Sequence, residues 1–364
     1  MSINRRTFFM SASAALAASA PLRGGETLRA ASIGVGGRGT RLLTTALEIP
    51  GLRFTYLCDI NAANLDKALS LAARDKPKGV KDYRRLLEAK DVDAVFIATP
   101  CYLHREMIIA ALEAGKNVYC EKPMAITPED NRAVLEAARK AKGKLQIGFQ
   151  GRYSPRRREM LRRLHAGQIG KLLFIRGQYY TPRDLPHHQA WKFQRDKFGD
   201  MIVEQAVHQF DLYNWMFQGH PLKACGMGGT NLYVNDPPGR TIMDHYTVSY
   251  EYPGGAHLSF SHIYYAVGEL RGVGEVVFGS KGALDTGTGR FYDRAKNAVS
   301  YAVDIKEGRM DATRLAIESF LEAIREDKEP FANAEVGRLG ALASIMGLRA
   351  MLEGRTVEWK EVDV

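Results

Sequence analysis

Leu28-Arg29-Ala30-Ala31-Ser32-Ile33-Gly34-Val35-Gly36-Gly37-Arg38-Gly39, followed by Thr40-Arg41-Leu42-Leu43-Thr44-Thr45-Ala46-Leu47, is the stretch on which the fold is decided. Its opening is a short apolar run of strand length and its close is amphipathic with helical spacing. Between them the glycines each have a use. Gly34 permits a tight turn, Gly36 lets backbone approach a pyrophosphate, and Gly39 allows close helix packing. Gly37 and Arg38 complete the turn, and the phosphates of a dinucleotide then rest at the helix N-terminus. Such a pattern is weak alone. Asp59 strengthens it: it ends the next apolar run, 20 residues beyond Gly39, where a carboxylate accepts ribose hydroxyls and repels a 2′-phosphate. NAD is therefore expected, with NADP the less favoured cofactor, and the other reading of Asp59 is a turn or helix cap before Asn61.

The same alternation continues outward through LRFTYLCDI, DAVFIATP, KNVYCEKP and KLQIGFQ, each apolar run followed by a helical stretch. Repeated βαβ units predict an α/β Rossmann domain with a parallel sheet over residues 27–150. Ligands lie at the carboxyl ends of such strands. Thr99 and Pro100 are expected to line the nicotinamide side there, while His104 is open between that role and packing. Glu121 and Lys122 end the fifth strand, ahead of Pro123, and are assigned to the cofactor. Lys122 is also assigned to catalysis, because an ammonium next to the reacting carbon stabilises a developing alkoxide.

Beyond Arg152 the pattern changes to a basic helix, then β-like runs broken by Asp236-Pro237-Pro238-Gly239 and Gly254-Gly255. Residues 151–364 are expected to form an α+β domain with a mostly antiparallel open sheet, its last helices packing back on the first domain. The open sheet face is expected to serve self-association. Glu204, His208 and Asp211 fall at i, i+4 and i+7 of an expected single helix, so His208 would take a substrate proton with Asp211 or Glu204 orienting its ring. Tyr179, Tyr180, Arg183, His187, His188 and Trp191 lie in the segment expected over the cleft, and Tyr179, Tyr180, Arg183 and Trp191, with His208, are the substrate candidates. Asp244, His245 and His262 read as structural before catalytic.

The chain of 364 residues is 45% hydrophobic and 25% charged, with a formal net charge of +10. Its densest basic run, Arg152 to Lys171, reads as a solvated helix face, and no nucleic-acid module accompanies it. Cys58, Cys101, Cys120 and Cys225 show no metal-ligand spacing and are expected to be core thiols, so no metal is assigned. At the N-terminus Arg5-Arg6 precede Phe8 and Phe9, an Ala/Ser-rich stretch and small residues, which is similar to a twin-arginine export signal over residues 1–26. A periplasmic or extracellular protein follows, with its cofactor loaded before export. No later segment is long and apolar enough for stable membrane insertion.

The GVGGRG turn, Asp59, Ala98-Thr99-Pro100 with His104, AGKNVYCEKP and His208-x-x-Asp211 together resemble the glucose-fructose oxidoreductase, inositol 2-dehydrogenase and rhizopine-catabolism family, Gfo/Idh/MocA, over nearly the whole mature chain. The resemblance implies catalytic roles for Lys122 and His208, with Asp211 as the following acid. FGDMIVEQAVHQFD departs from the family's glycine-rich pattern at Asp200, Glu204 and Ala206, so the substrate does not carry over. What the resemblance implies is an NAD(P)-dependent oxidoreductase acting by hydride transfer on a sugar, polyol or glycoside; export to a compartment poor in free NAD adds the expectation that the cofactor is retained. The alternative is NAD-dependent redox-neutral glycoside hydrolysis. A non-catalytic NAD-binding sensor or scaffold is the third reading, against which the presence of both Lys122 and His208 argues.

Overall fold

The computed structural model describes residues 27–305 and 311–364; the proposed export signal lies outside the described residues. The first unit runs β1 (Leu28–Ile33), α1 (Gly37–Leu47), β2 (Leu52–Cys58), α2 (Ala62–Leu71), β3 (Lys78–Val80), α3 (Arg84–Leu87), β4 (Ala94–Ile97), α4 (His104–Glu113), β5 (Asn117–Cys120), α5 (Pro128–Lys140) and β6 (Leu145–Ile147). Its strands pair in parallel in the order β3-β2-β1-β4-β5-β6. Crossover helices cover both faces, which is why β4, Ala-Val-Phe-Ile, is apolar and buried at every position. The strand order reverses between β1 and β4, opening a crevice at their carboxyl ends. Thr127 caps α5 ahead of Pro128, its hydroxyl accepting from the Asp130 N–H at 3.1 Å. Helix α1, by contrast, starts at Gly36 with no side-chain cap.

The second unit follows as α6 (Pro155–His165), β7 (Leu172–Tyr180), α7 (Arg195–Phe198), α8 (Asp200–Glu204), α9 (Val207–Phe217), β8 (Lys223–Gly229), β9 (His245–Tyr252), β10 (Ala256–Ile263), β11 (Gly272–Gly279), β12 (Gly282–Asp285), β13 (Arg290–Asp293), β14 (Ala298–Ala302), α10 (Ala312–Arg325), α11 (Ala334–Glu353) and β15 (Val357–Glu358). Nine strands form one sheet in the order β14-β13-β12-β11-β7-β10-β9-β8-β15. Only β7 and β10 run parallel; the expected mostly antiparallel sheet is what the chain forms. Burial alternates along β10, with Leu258, Phe260 and His262 turned to the helices and His257, Ser259, Ser261 and Ile263 to the other face. Among the described residues no helix is long and apolar enough to cross a membrane.

The last helices join the two units. Phe320 of α10 packs its ring against Phe96 of β4 and Tyr119 of β5, at 5.9 and 5.8 Å. Helix α11 begins in the first core and ends in the second, Val336 belonging to one and Ala341, Leu342 and Met346 to the other.

Two expectations need correction, the single helix and the fourth core thiol. Met201 to Phe217 is two helices, because the Gln205 and Ala206 N–H groups both turn back to the Met201 carbonyl, at 3.1 Å. Strand β8 stops at Gly229, and the Asp244 carboxylate gathers the Asn231, Leu232 and Tyr233 N–H groups of the next turn. Cys225 is exposed on the sheet, so only Cys58, Cys101 and Cys120 are core thiols.

Candidate active site

The nucleotide end of the site is built from backbone. Gly34 sits at φ +80, and a Cβ there would fall 2.8 Å from the Ala98 carbonyl oxygen. A Cβ on Gly39 would meet the Gly34 oxygen at 1.9 Å, so only glycine lets α1 start this close to β1. Gly37 faces open space. With no side chain capping α1, its first amides remain for an anion. Asp59 accepts the Val35 N–H at 3.0 Å and the Asn61 N–H at 2.8 Å. It therefore braces the glycine turn, and its remaining lone pairs are of the kind that ribose hydroxyls use. Glycine turn, bare helix start and carboxylate all fit a dinucleotide.

The other expected cofactor residues are committed elsewhere. Arg38 donates from Nε to Glu121 at 2.8 Å, and the buried Glu121 also accepts from Gln150 at 2.9 Å. The pair bridges the start of α1 to the end of β5. His104 is 1% exposed, its Nδ1 2.7 Å from the Pro123 carbonyl and its Nε2 3.0 Å from the Thr99 carbonyl. It ties the β4 and β5 ends together from behind, which corrects the idea that its ring faces the nicotinamide; Thr99 and Pro100 stay at the cleft edge, half-buried.

At the end of β5 the Lys122 ammonium donates to both the backbone oxygen and Oε1 of Glu204, each at 2.6 Å. Side-chain exposures of 14% and 16% leave that pair reachable from the cleft. Burial pulls the Lys122 ammonium down, but the Glu204 charge and hydrogen bond outweigh it and hold it above its ordinary value. His208 is half-buried, its ring edge-on to Phe149 at 5.9 Å. Burial holds its pKa well below the ordinary histidine value, and the Lys122, Arg38 and Arg157 charges push the same way. The ring is neutral at neutral pH.

The expected relay along one helix face is not formed. The break before α9 separates Glu204 from His208, and Asp211 accepts from Arg152 Nε at 2.9 Å through both carboxylate oxygens. Glu204 and His208 thus lie on separate helices, one bonded to Lys122 and the other within reach of its charge, while Asp211 is taken by Arg152. Arg152, read from the sequence as part of a solvated face, is a buried ion-pair partner.

Strand parity divides the substrate candidates. Tyr179 faces the helices, its ring 4.4 Å from that of the buried His262. Burial pushes its phenol up, against the pull of the Lys122 charge. Tyr180 points to the opposite face, its hydroxyl 2.5 Å from Ser261, so it is not a cleft residue. Arg183 is exposed, as are His187 and His188, and nothing in the structure brings Arg183 to Lys122. Trp191 is half-buried, edge-on to Phe198 at 5.8 Å. Its neighbour Lys192, missed in the sequence, lies within the electrostatic reach of Glu204, Lys122 and Cys101. Asp244 and His245 bond each other at 2.7 Å beside the sheet. Among the described residues no three His, Cys, Asp or Glu side chains stand together to hold a metal.

A parallel dinucleotide-binding unit joined to a large open sheet, with a lysine at their junction, defines the class of two-domain NAD-binding oxidoreductase folds. Residues 28–149 match the model of an oxidoreductase family with an NAD-binding Rossmann fold, and residues 158–285 match the GFO/IDH/MocA C-terminal domain. The chain belongs to the Gfo/Idh/MocA oxidoreductase family. It is 33% identical over 192 residues to an inositol 2-dehydrogenase of Salmonella paratyphi B, covering 52% of this chain and 54% of that one. Over 150 residues it is 36% identical to a 1,5-anhydro-D-fructose reductase of Ensifer adhaerens, covering 40% and 44%. The chain thus spans about half the length of these curated relatives. A levoglucosan dehydrogenase solved with NADH and levoglucosan shares the fold, with a TM-score of 0.78 over 91% of this chain and 99% of that one, at 21% identity.

Proposed function

We propose that the protein is an NAD-dependent oxidoreductase that takes hydride from a carbinol carbon of a sugar or polyol at the Lys122–Glu204–His208 cluster. The observation that carries this reading is the Lys122 ammonium, held twice by Glu204 at 2.6 Å where β5 ends. NAD, when bound, supplies the hydride acceptor. Glu204 occupies two of the three N–H donors of Lys122, leaving one for a substrate hydroxyl. The ammonium stabilises that oxygen as its proton leaves, and the neutral His208 ring accepts the proton. Trp191 and Tyr179 offer the apolar surface against which a sugar ring packs. Arg152 takes both oxygens of Asp211, so His208 works without a carboxylate partner.

The cofactor is proposed to stay bound through turnover. That reading rests on Arg5-Arg6 and the export it implies, since the twin-arginine route carries folded protein to a compartment poor in free NAD. Export to the periplasm or beyond, and self-association through the open face around Phe174 and Phe278, complete the proposal. Denaturing purified folded protein and quantifying the nicotinamide released tests retention: near one per chain is expected, and none overturns it. Adding neutral and acidic sugars and polyols to the NAD-loaded protein tests the activity. Growth of NADH absorbance that Lys122→Met abolishes is expected; its absence with every sugar and polyol class overturns the reading.

A further inference from the structure

Lys192 belongs to the short turn Ala190–Phe193, between β7 and α7. The turn is fixed on both sides: Phe193 is 2% exposed, Trp191 rests on Phe198, and the Lys192 N–H bonds the Gln189 carbonyl at 2.9 Å. Helix α7 packs on the Cys101–Leu103 turn that follows β4, and Lys192, just ahead of α7, lies within electrostatic reach of Glu204 and Lys122. Burial pulls its ammonium below the ordinary lysine value, with Glu204 opposing and Lys122 reinforcing that pull.

Lys192 and Lys122 differ in what they hold. Lys122 has Glu204. Among the described residues no carboxylate or carbonyl accepts a hydrogen bond from the Lys192 ammonium, which lies 5.7 Å from the Trp191 ring centroid. Lys122 and Lys192 thus have one carboxylate, Glu204, between them, while His208 is neutral. A half-buried cation without an anion is a costly arrangement unless a ligand completes it. The pyrophosphate of a dinucleotide is not that ligand, because it belongs at the start of α1, and the charged groups that act on Lys192 are Glu204 and Lys122, neither of them in the glycine turn.

We propose that Lys192 is a substrate-binding residue that receives a carboxylate, so that the carbohydrate taken by this site is a sugar acid of the hexuronate kind. A single unpaired ammonium matches a monoanion and leaves a phosphate dianion only half neutralised. Lys192 on the carboxylate and Lys122 on a hydroxyl fix the sugar at two points and aim one carbinol carbon at the cofactor. The inference rests on the reading of Lys122 and His208 as the hydride-transfer site.

The test titrates NAD-loaded protein with sodium D-glucuronate and sodium D-galacturonate, each against its uncharged amide, with glucose 6-phosphate as the phosphate arm, following heat or tryptophan fluorescence. The uronates should bind about 10- to 100-fold more tightly than their amides, the value of a hydrogen bond to a charged group. In Lys192→Met the ratio of the two affinities should fall to near one, while Lys192→Arg, which keeps the charge, should retain most of it. Bound nicotinamide content checks that each variant is folded. Equal affinity for salt and amide, binding of neither, a ratio that survives in Lys192→Met, or preference for the phosphate would each overturn the assignment. Selective uronate binding without NADH formation would leave Lys192 as assigned and overturn the dehydrogenase reading instead.

Discussion

Two ion pairs, anchored at Glu204 and Asp211 on successive helices, are built for different work. Lys122–Glu204 lies in the cleft with side-chain exposures of 14% and 16%, while Arg152–Asp211 lies behind it at 4% and 3%. The first joins a flexible ammonium to one carboxylate oxygen and a backbone carbonyl. The second is a planar guanidinium on both oxygens of a carboxylate, further enclosed by the Trp215 and Phe331 rings at 5.1 and 5.2 Å. Lysine with a spare donor suits a site where a proton and a charge must be handled; a saturated arginine fork suits a joint. The difference separates what the site uses from what holds the site in place.

Removing the cation from each pair tests that division. Lys122→Met should lower kcat for NADH formation by about 100- to 10,000-fold, the range for loss of a positioned acid–base group, with bound nicotinamide retained. Steady-state absorbance and a nucleotide count on the same preparation read both quantities. Arg152→Met should act through the fold, costing about 3–5 kcal/mol because it strands the Asp211 carboxylate in the interior. Denaturant midpoints measure this, and the double variant Arg152→Met/Asp211→Leu should recover most of the loss. A fully stable Arg152→Met with crippled kcat would break the comparison.

The sequence carries the first of these regions more openly than the second, for physical reasons. Gly34, Gly39 and Asp59 are backbone and strand-end requirements, local enough that spacing alone identifies them. Lys122 likewise ends a strand whose edge is a ligand crevice by topology. Asp211 and Arg152 meet across 59 residues, and nothing local distinguishes Arg152 from the other arginines of its basic run. The helix break at Gln205 and Ala206 has no glycine or proline to announce it, so the trio at i, i+4 and i+7 looked like one face. His104 was open in the sequence between the nicotinamide side and packing, and only the assembled carbonyls of Thr99 and Pro123 show why it is there. Lys192 sits in a polar loop where a lysine is ordinarily solvated, and becomes noticeable only once that loop lies on the Cys101–Leu103 turn.

His208 sharpens the comparison through pH. The ring is held well below the ordinary histidine value by burial and then by the Lys122, Arg38 and Arg157 charges. The acid limb of kcat/KM should therefore lie below about 6.5. Arg157→Gln, which removes one of those charges, should move the limb upward. Stability follows the same sign. The unfolded ring protonates near 6.5 and the folded one resists, so the stability present above that pH is lost as pH falls from there toward the folded pKa. Denaturant midpoints across that window should show a shallower slope for His208→Asn than for the parent protein, and identical slopes would mean that His208 is not neutral in the fold.

The smallest effect expected is the most diagnostic of what the carboxylate in the cleft does. In Glu204→Gln the amide oxygen can still accept from Lys122, and the backbone oxygen of residue 204 is unchanged, so geometry is largely preserved. What goes is the negative charge that holds the Lys122 ammonium above its ordinary value against burial. Burial then prevails, the ammonium loses its proton at lower pH, and the alkaline limb of kcat/KM should move down. At neutral pH the loss should be about 10-fold, the cost of turning one charge-assisted hydrogen bond into a neutral one. A fall as deep as that of Lys122→Met, with the alkaline limb unmoved, would make Glu204 a proton carrier in its own right and Lys122 its positioning partner. A shifted limb with a modest loss would keep the ammonium as the group that meets the substrate oxygen.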